Sequence, residues 1–340
     1  MKAVLLRKPK PIEQNPLDLE NVPIPNIASG QVLLRVTACG VCRSNLHMIE
    51  GDWVKHGMPA KSPIIPGHEI VGRVARVAND VTSFREGEKV GVMALWSSCG
   101  KCEFCLSGRE NICQSRHMTG ETVDGGYAEY IVANADYAYH VPDNLKDSEA
   151  APLFCPGISA YGAVKKAQLS PGKKVAIFGI GGVGHMAIQF ARLYGADVVA
   201  VSRNTQHLKL AEKLGAGQIV NTSEGTLSEW LKEIGPVDSS IVFAPSGTVV
   251  QFAIKATKPG GITVTGIWTE IAEPLADERK VTNSLIGSRN DMKKVIVLAS
   301  AGKIRPVYDE FKLERVNEVL NMLKKGDILA RAVLVPEQER

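Results

Sequence analysis

Between Lys174 and Val201 the 340-residue chain carries a pattern that few folds can accommodate. Lys174-Val175-Ala176-Ile177-Phe178 is a short apolar strand, entered from the breaker Ser170-Pro171-Gly172. Gly179-Ile180-Gly181-Gly182-Val183-Gly184 follows as a G-x-G-x-x-G, with helical periodicity from His185 to Tyr194 and a second apolar strand over Asp197-Val198-Val199-Ala200-Val201. The motif alone is weak. Strand, motif, helix and strand within about thirty residues form the dinucleotide-binding context, in which the glycines let the backbone approach a pyrophosphate at a helix N-terminus. The alternative is a glycine-rich turn that binds no nucleotide. Alternation continues through Leu208 to Leu214, Gly217 to Val220, Val237 to Phe243 and Gly261 to Gly266, which predicts an α/β unit with a doubly wound parallel sheet. Where the second strand ends, a carboxylate normally accepts from the adenosine ribose of NAD; here Ser202 stands there, followed by Arg203 and Asn204. A small hydroxyl beside a guanidinium suits a 2′-phosphate, so NADP(H) is favoured over NAD(H). With a solvated Arg203 the preference would revert to NAD(H).

A length of 340 residues points to two domains of about 150 residues each. The balance of 40 basic and 36 acidic residues, with no block of one sign, argues against a nucleic-acid partner or a polybasic membrane patch. The N-terminal Met1-Lys2-Ala3-Val4-Leu5-Leu6-Arg7-Lys8 turns polar too soon for a signal peptide. No apolar run reaches the ~18 residues of a membrane span, because His185 and Gln189 interrupt the best candidate. A cytoplasmic location is expected. There, seven cysteines point to metal or catalysis before disulfides.

The first 90 residues look β-rich, with Val32 to Val36 and Ile70 to Val77 as partly alternating segments and Glu86 to Gly91 as a turn entering a further strand. Two short stretches carry chemistry. Gly40-Val41-Cys42-Arg43-Ser44-Asn45-Leu46-His47 sets a thiol two residues from a hydroxyl and five from an imidazole, the parts of a metal-centred proton relay. Pro66-Gly67-His68-Glu69 puts an imidazole beside a carboxylate at a strand start. Cys99, Cys102, Cys105 and Cys113 then follow as Cys-x2-Cys-x2-Cys-x7-Cys. Four thiolates satisfy tetrahedral zinc with no position left for substrate, so this is a structural site pinning a polar lobe over roughly residues 95–115. An iron–sulfur cluster also takes four cysteines. The strand-like Tyr127 to Val132 precedes Glu149 to Gly157, which supplies Cys155, and Ile158 to Ala167 reads as helical. Phe311 through Leu323 reads as an amphipathic helix opened by Glu314, and Arg331 to Val335 as a closing strand.

Together these residues resemble the zinc-containing alcohol dehydrogenases of the medium-chain dehydrogenase/reductase superfamily, over essentially the whole chain and in order. The resemblance implies a β-rich, GroES-like catalytic domain at 1–155, a Rossmann cofactor domain at 156–295, and a return segment at 296–340 completing the first. It implies two zinc ions per chain. Cys42, His68 and Cys155 match the catalytic ligands, and Cys99, Cys102, Cys105 and Cys113 the structural ones. Glu69 matches the carboxylate behind the metal, and Ser44 and His47 the proton relay. Arg43 and Arg331 fall where the family contacts the cofactor pyrophosphate, alongside the backbone of Gly179, Gly181, Gly182, Val183 and Gly184. Trp53 and Trp96 fall where members often line the substrate pocket, and Cys39 has no ligand role.

The chemistry of the residues agrees. Two thiolates and a neutral imidazole leave a Zn2+ site without net charge and with one open position, where an alcohol becomes acidic enough to lose its proton to Ser44. One position departs from the pattern: Asn45 stands where the family usually has Asp. An amide oxygen can still accept from His68 but brings no charge, so a looser or more electrophilic metal is expected. The implied activity is hydride transfer between a primary alcohol or aldehyde and the nicotinamide, by a homodimer or homotetramer. A polyol or amino-alcohol dehydrogenase is the alternative, and a zinc-ribbon binding protein a remote one, disfavoured by the near-neutral charge and the dinucleotide-binding unit.

Overall fold

The computed structural model describes residues 1–272 and 276–337. The chain divides into two compact units, one built from Met1–Cys155, Ser288–Ser300 and Pro306–Arg340, the other from Pro156–Gly287 and Ala301–Arg305.

The second unit is organised around six parallel strands in the order Gln218–Asn221, Asp197–Ser202, Lys174–Phe178, Val237–Val242, Thr257–Thr265 and Lys280–Asn283. Numbered along the chain this is 3-2-1-4-5-6, the dinucleotide-binding order. Val175 to Phe178 are all buried because helices cover both faces of a parallel sheet, which is why the strand reads as an unbroken apolar run. The helix Gly184–Leu193 follows the glycine-rich loop, and Thr205–Lys213 follows the second strand. Two further helices lie beyond the elements expected from periodicity. Leu227–Ile234 is opened by a capping box between Thr226 and Glu229, and Gly247–Ala256 covers the fourth strand.

The first unit holds a seven-stranded, mostly antiparallel sheet whose central member, Gln31–Gly40, pairs with Ile70–Val77, Tyr130–Asn134 and Arg331–Val335. Its core runs from Val4 and Leu6 through Leu34, Leu46, Ile70 and Tyr127 to Leu334. The expected helix over 311–323 is corrected at its start. Phe311 and Lys312 belong to the strand Tyr308–Lys312, which pairs in parallel with Arg331–Val335, and the helix proper is Val316–Lys325. Pairing on a sheet edge overrides helical spacing there.

The return to the first unit begins at Ser288, earlier than residue 296, because helix Arg289–Ser300 belongs to one core along its whole length. It packs on the turn Ala151–Phe154, and the Arg289 amide donates to Glu110 Oε1 at 2.6 Å. Ala301–Arg305 rejoins the second unit through reciprocal hydrogen bonds of Gln189 with the Arg305 backbone, 3.0 and 2.9 Å.

Asp238, on the fourth strand, accepts from the Lys174 amide at 2.9 Å and pairs with Lys258 at 2.5 Å. Burial opposes its charge, but Lys258 and the amide prevail and hold its carboxyl below the usual range. Asp238→Asn is expected to cost about 1 kcal/mol near neutral pH. Because the folded pKa is depressed, that contribution is complete above the unfolded value of about 3.9 and is lost as pH falls through the folded one. The difference in denaturation midpoint between variant and wild type is therefore flat above about pH 5 and closes below it.

Candidate metal centre and active site

Strand pairing assembles the main cluster. In the ladder between Gln31–Gly40 and Ile70–Val77 the last pair is Cys39 with Ile70, so Cys42 and His68 emerge at the same end of the sheet. The Gly40 amide closes that end by donating to the Glu69 carbonyl at 2.9 Å. Gly67, at φ +99°, turns the chain into His68, and a Cβ there would lie 2.5 Å from the ring of the buried Tyr127. Arg331 opens the strand that pairs on the other side, and Cys155 is delivered at the end of the turn Ala151–Phe154.

Ligand atoms of Cys42, His68, Glu69 and Cys155 all lie within 4.8 Å of one another, and all four residues are buried. The sulfurs of Cys42 and Cys155 are 3.6 Å apart. That is close to the edge, about 3.8 Å, of a tetrahedron with Zn–S bonds of ~2.3 Å, and far from a disulfide's ~2.05 Å. The donor set fits a soft divalent ion. Contact with Cys155, aided by the charge of Arg331 and by His68, outweighs burial and holds the Cys42 thiol well below its ordinary pKa. The same contact, with burial, pushes Cys155 well above it. For His68 burial opposes the charge, yet the hydrogen bond and charge of Cys42 raise it to about 9. Cys155 and His68 thus keep protons that a cation would displace.

Glu69 lies behind the cluster. Burial pushes its carboxyl up to about 7 against the pull of Arg331. Arg331, itself only 4% exposed, grips both carboxylate oxygens, through Nε at 3.0 Å and through a short second contact. Nε and Nη2 of its guanidinium thus face Glu69. Arg43 likewise donates to the Leu323 carbonyl at 3.0 Å.

Cys42 caps the helix Arg43–Glu50, and Ser44 and His47, three residues apart, share one of its faces. Ser44 Oγ lies 3.4 Å from His68 Nε2. His47 Nδ1 is 2.6 Å from Asp52 Oδ2, and its ring stacks on Trp53 at 5.9 Å. Trp53 therefore stands beside the relay. Trp96 donates to the Val132 carbonyl and meets His117 edge-on, and it shows no described contact with the cluster.

The expected acceptance by the Asn45 oxygen from His68 is not what the structure shows. That oxygen accepts from the Tyr127 hydroxyl at 3.2 Å, which turns the NH2 group toward His68 Nδ1 at 3.4 Å. The acidic residue on that side is Glu121, with Oε1 3.8 Å from Nδ1. Tyr127, Glu121 and Asp52 are the members of this site that the sequence did not single out. Tyr127 and Glu121 are far from their partners in sequence and are brought in by the fold, whereas Asp52 reaches His47 locally, in the turn that ends helix Arg43–Glu50.

The four-cysteine lobe gathers its sulfurs as well, within 4.8 Å of one another. Cys102 and Cys105 are 3.5 Å apart, Cys99 and Cys105 3.8 Å. These separations suit a single tetrahedral ion, whereas a cluster must spread its ligands wider. Backbone amides of Lys101 and Cys102 hold the Cys99 thiol at about 6, which readies it as a thiolate.

In the second unit Gly179, at φ +89°, starts the glycine-rich loop, and a Cβ on Gly184 would lie 2.0 Å from the Gly179 carbonyl oxygen. Gly181 faces open space. A loop so tight on one side and so bare on the other suits a close-lying phosphate. Ser202 Oγ accepts from the Asn204 amide at 3.2 Å, and the Asn204 side chain caps the next helix through the Gln206 and His207 amides. Arg203 is exposed beside them.

This geometry defines a dehydrogenase class: a metal-ligating β unit and a dinucleotide-binding α/β unit. Comparison with known proteins agrees. Residues 28–143 match the alcohol dehydrogenase GroES-like domain and 182–301 the zinc-binding dehydrogenase domain. An alcohol dehydrogenase of Geobacillus stearothermophilus is 40% identical over 341 residues, covering 98% of this chain and 99% of that one. The alcohol dehydrogenase of Aeropyrum pernix superimposes with a TM-score of 0.92 at 32% identity, covering 99% of this chain and all of its own. A cobalt- and zinc-bound thermostable alcohol dehydrogenase of Pyrobaculum aerophilum does so at 0.88 with 28% identity and 99% coverage of both. The chain belongs to the zinc-type alcohol dehydrogenases of the medium-chain dehydrogenase/reductase superfamily.

Replacing Arg331 by Met leaves Glu69 buried and unpaired, which is expected to cost about 3–5 kcal/mol in chemical denaturation. Adding Glu69→Gln to that variant is expected to recover part of the loss.

Proposed function

We propose that this protein is a zinc-dependent alcohol dehydrogenase or aldehyde reductase, moving hydride between a primary alcohol or aldehyde and NADP(H) in preference to NAD(H). The observation that carries the reading is the convergence of Cys42, His68 and Cys155, three donors far apart in the chain, in one buried cluster. Zinc held there supplies a Lewis acid that acidifies an alcohol or polarises a carbonyl, and the nicotinamide carries the hydride. The protein's own groups supply the rest. Ser44 Oγ, next to His68, accepts the alcohol's proton as it releases its own hydroxyl proton toward His47. His47, partly open to solvent, passes protons outward, while Asp52 at its Nδ1 leaves Nε2 as the accepting nitrogen. Glu69 and Arg331 set the charge behind the ligands. A second zinc on Cys99, Cys102, Cys105 and Cys113 holds the lobe that has little apolar content of its own.

The loop from Gly179 to Gly184 receives the cofactor's pyrophosphate. Exposed Arg203 beside Ser202 favours the 2′-phosphate. The substrate is a small alcohol or aldehyde, with Trp53 lining its pocket. Among the described residues no helix is long and apolar enough to cross a membrane. Assembly as a homodimer or homotetramer rests on the family alone.

Cys42→Ala is expected to lower aldehyde reduction by more than about 100-fold, beyond what loss of an outer hydrogen bond to a ligand costs, and to remove one of two zinc ions by elemental analysis. Equal reduction by variant and wild type overturns the metal assignment. Ser202→Asp is expected to shift the NADPH-to-NADH preference toward NADH by at least about tenfold, the worth of one charged hydrogen bond. An unchanged ratio removes Ser202 from cofactor choice.

A further inference from the structure

A histidine that gives its Nε2 lone pair to a metal keeps its proton on Nδ1, and that N–H needs an acceptor to fix the ring and raise its basicity. In this chain the residue at position 45 does not provide one. Tyr127, wholly buried, engages the Asn45 oxygen, so an NH2 group faces the His68 Nδ1. Donor would then confront donor. The acceptor on that side of the ring is Glu121, only 6% exposed, with Oε1 3.8 Å from Nδ1.

Glu121 is held in place independently of the histidine. It sits in the tight turn Met118–Val123, where its amide donates to the Met118 carbonyl at 3.2 Å and its carbonyl accepts from the Ala60 amide at 3.0 Å. Among the described residues, the basic group nearest its carboxylate is the His68 ring, at 3.8 Å. Only the charges of His68, first, and of Arg116 offset the burial of Glu121, and a carboxylate nine-tenths buried beside that ring's outer nitrogen is costly unless it serves that nitrogen. Nor is it a ligand itself, since it lies outside the set of donor atoms that converge at the cluster.

We propose that Glu121 is the positioning residue for His68: it supplies from a distant loop the carboxylate that position 45 lacks, orienting the imidazole and strengthening its hold on the metal. The proposal rests on the reading of His68 as a zinc ligand. It replaces the expectation that Asn45 leaves a loosened site, because the charge is moved and not lost.

The test uses the full chain and zinc alone. Zinc per chain is measured by elemental analysis after dialysis against graded chelator, with thermal midpoint as the folding control. Glu121→Ala is expected to hold one of the two ions roughly 10–100-fold more weakly, and the double variant Asn45→Asp/Glu121→Ala to recover most of that loss. A role in packing alone would not be rescued from position 45. If Glu121→Ala fails to fold, the isosteric Glu121→Gln carries the test, with a smaller loss expected and the same rescue. Retention equal to wild type in the folded variant overturns the proposal, and so does a weakened site that Asn45→Asp leaves unchanged. Cys42→Ala separates the two readings: if it loses one ion while Glu121 variants keep both, only the role of Glu121 falls. If Cys42→Ala also keeps both ions, the ligand assignment falls with it.

Discussion

Everything at the metal centre depends on the antiparallel pairing of Gln31–Gly40 with Ile70–Val77, and on the addition of Arg331–Val335 at the opposite edge of the same strand. Side chains that leave a sheet at one end are neighbours whatever their separation in sequence. Cys42, His68 and Arg331 meet for that reason alone. Register makes the arrangement strict, because a slip of one residue would send each side chain to the opposite face. The glycines near this end are spaces as much as turns: a Cβ on Gly40 would lie 2.0 Å from Glu69 Oε2, so the carboxylate rests against bare backbone.

The centre stores charge in a place where charge is expensive. Glu69 and Arg331 are both buried, and each is tolerable only through the other. Cys155 and His68 keep protons that a cation displaces, so the fold prepares a ligand set whose charges are balanced only when metal is present. Glu121 belongs to the same balance. It adds one more buried carboxylate on the outer side of the imidazole, compensating within the fold for an uncharged residue at position 45.

The dinucleotide-binding unit was the most legible part of the chain. Its strands are buried on both faces, so their apolar runs stand out, and the glycine-rich loop between Phe178 and His185 leaves little choice of geometry. Helices Leu227–Ile234 and Gly247–Ala256 were harder to read. The first is short and largely exposed, and the second runs into the strand Thr257–Thr265 without a breaker. The strand at Phe311 and Lys312 was hidden by helical spacing, because its identity comes from a partner that lies some twenty residues further along.

What the sequence determined by itself was local: the cysteine spacings, the hydroxyl and imidazole that follow Cys42, the glycine loop and the order of elements in the α/β unit. These are properties of residues within a few turns of one another, where spacing fixes direction. Only the tertiary structure decided which outer groups serve the ligands. It turned the Asn45 amide through Tyr127, set Glu121 behind His68 and brought the Arg331 guanidinium to Glu69. Contacts of that kind join residues through the ends of strands and the tips of loops, and their energy comes from burial and charge that no linear spacing records.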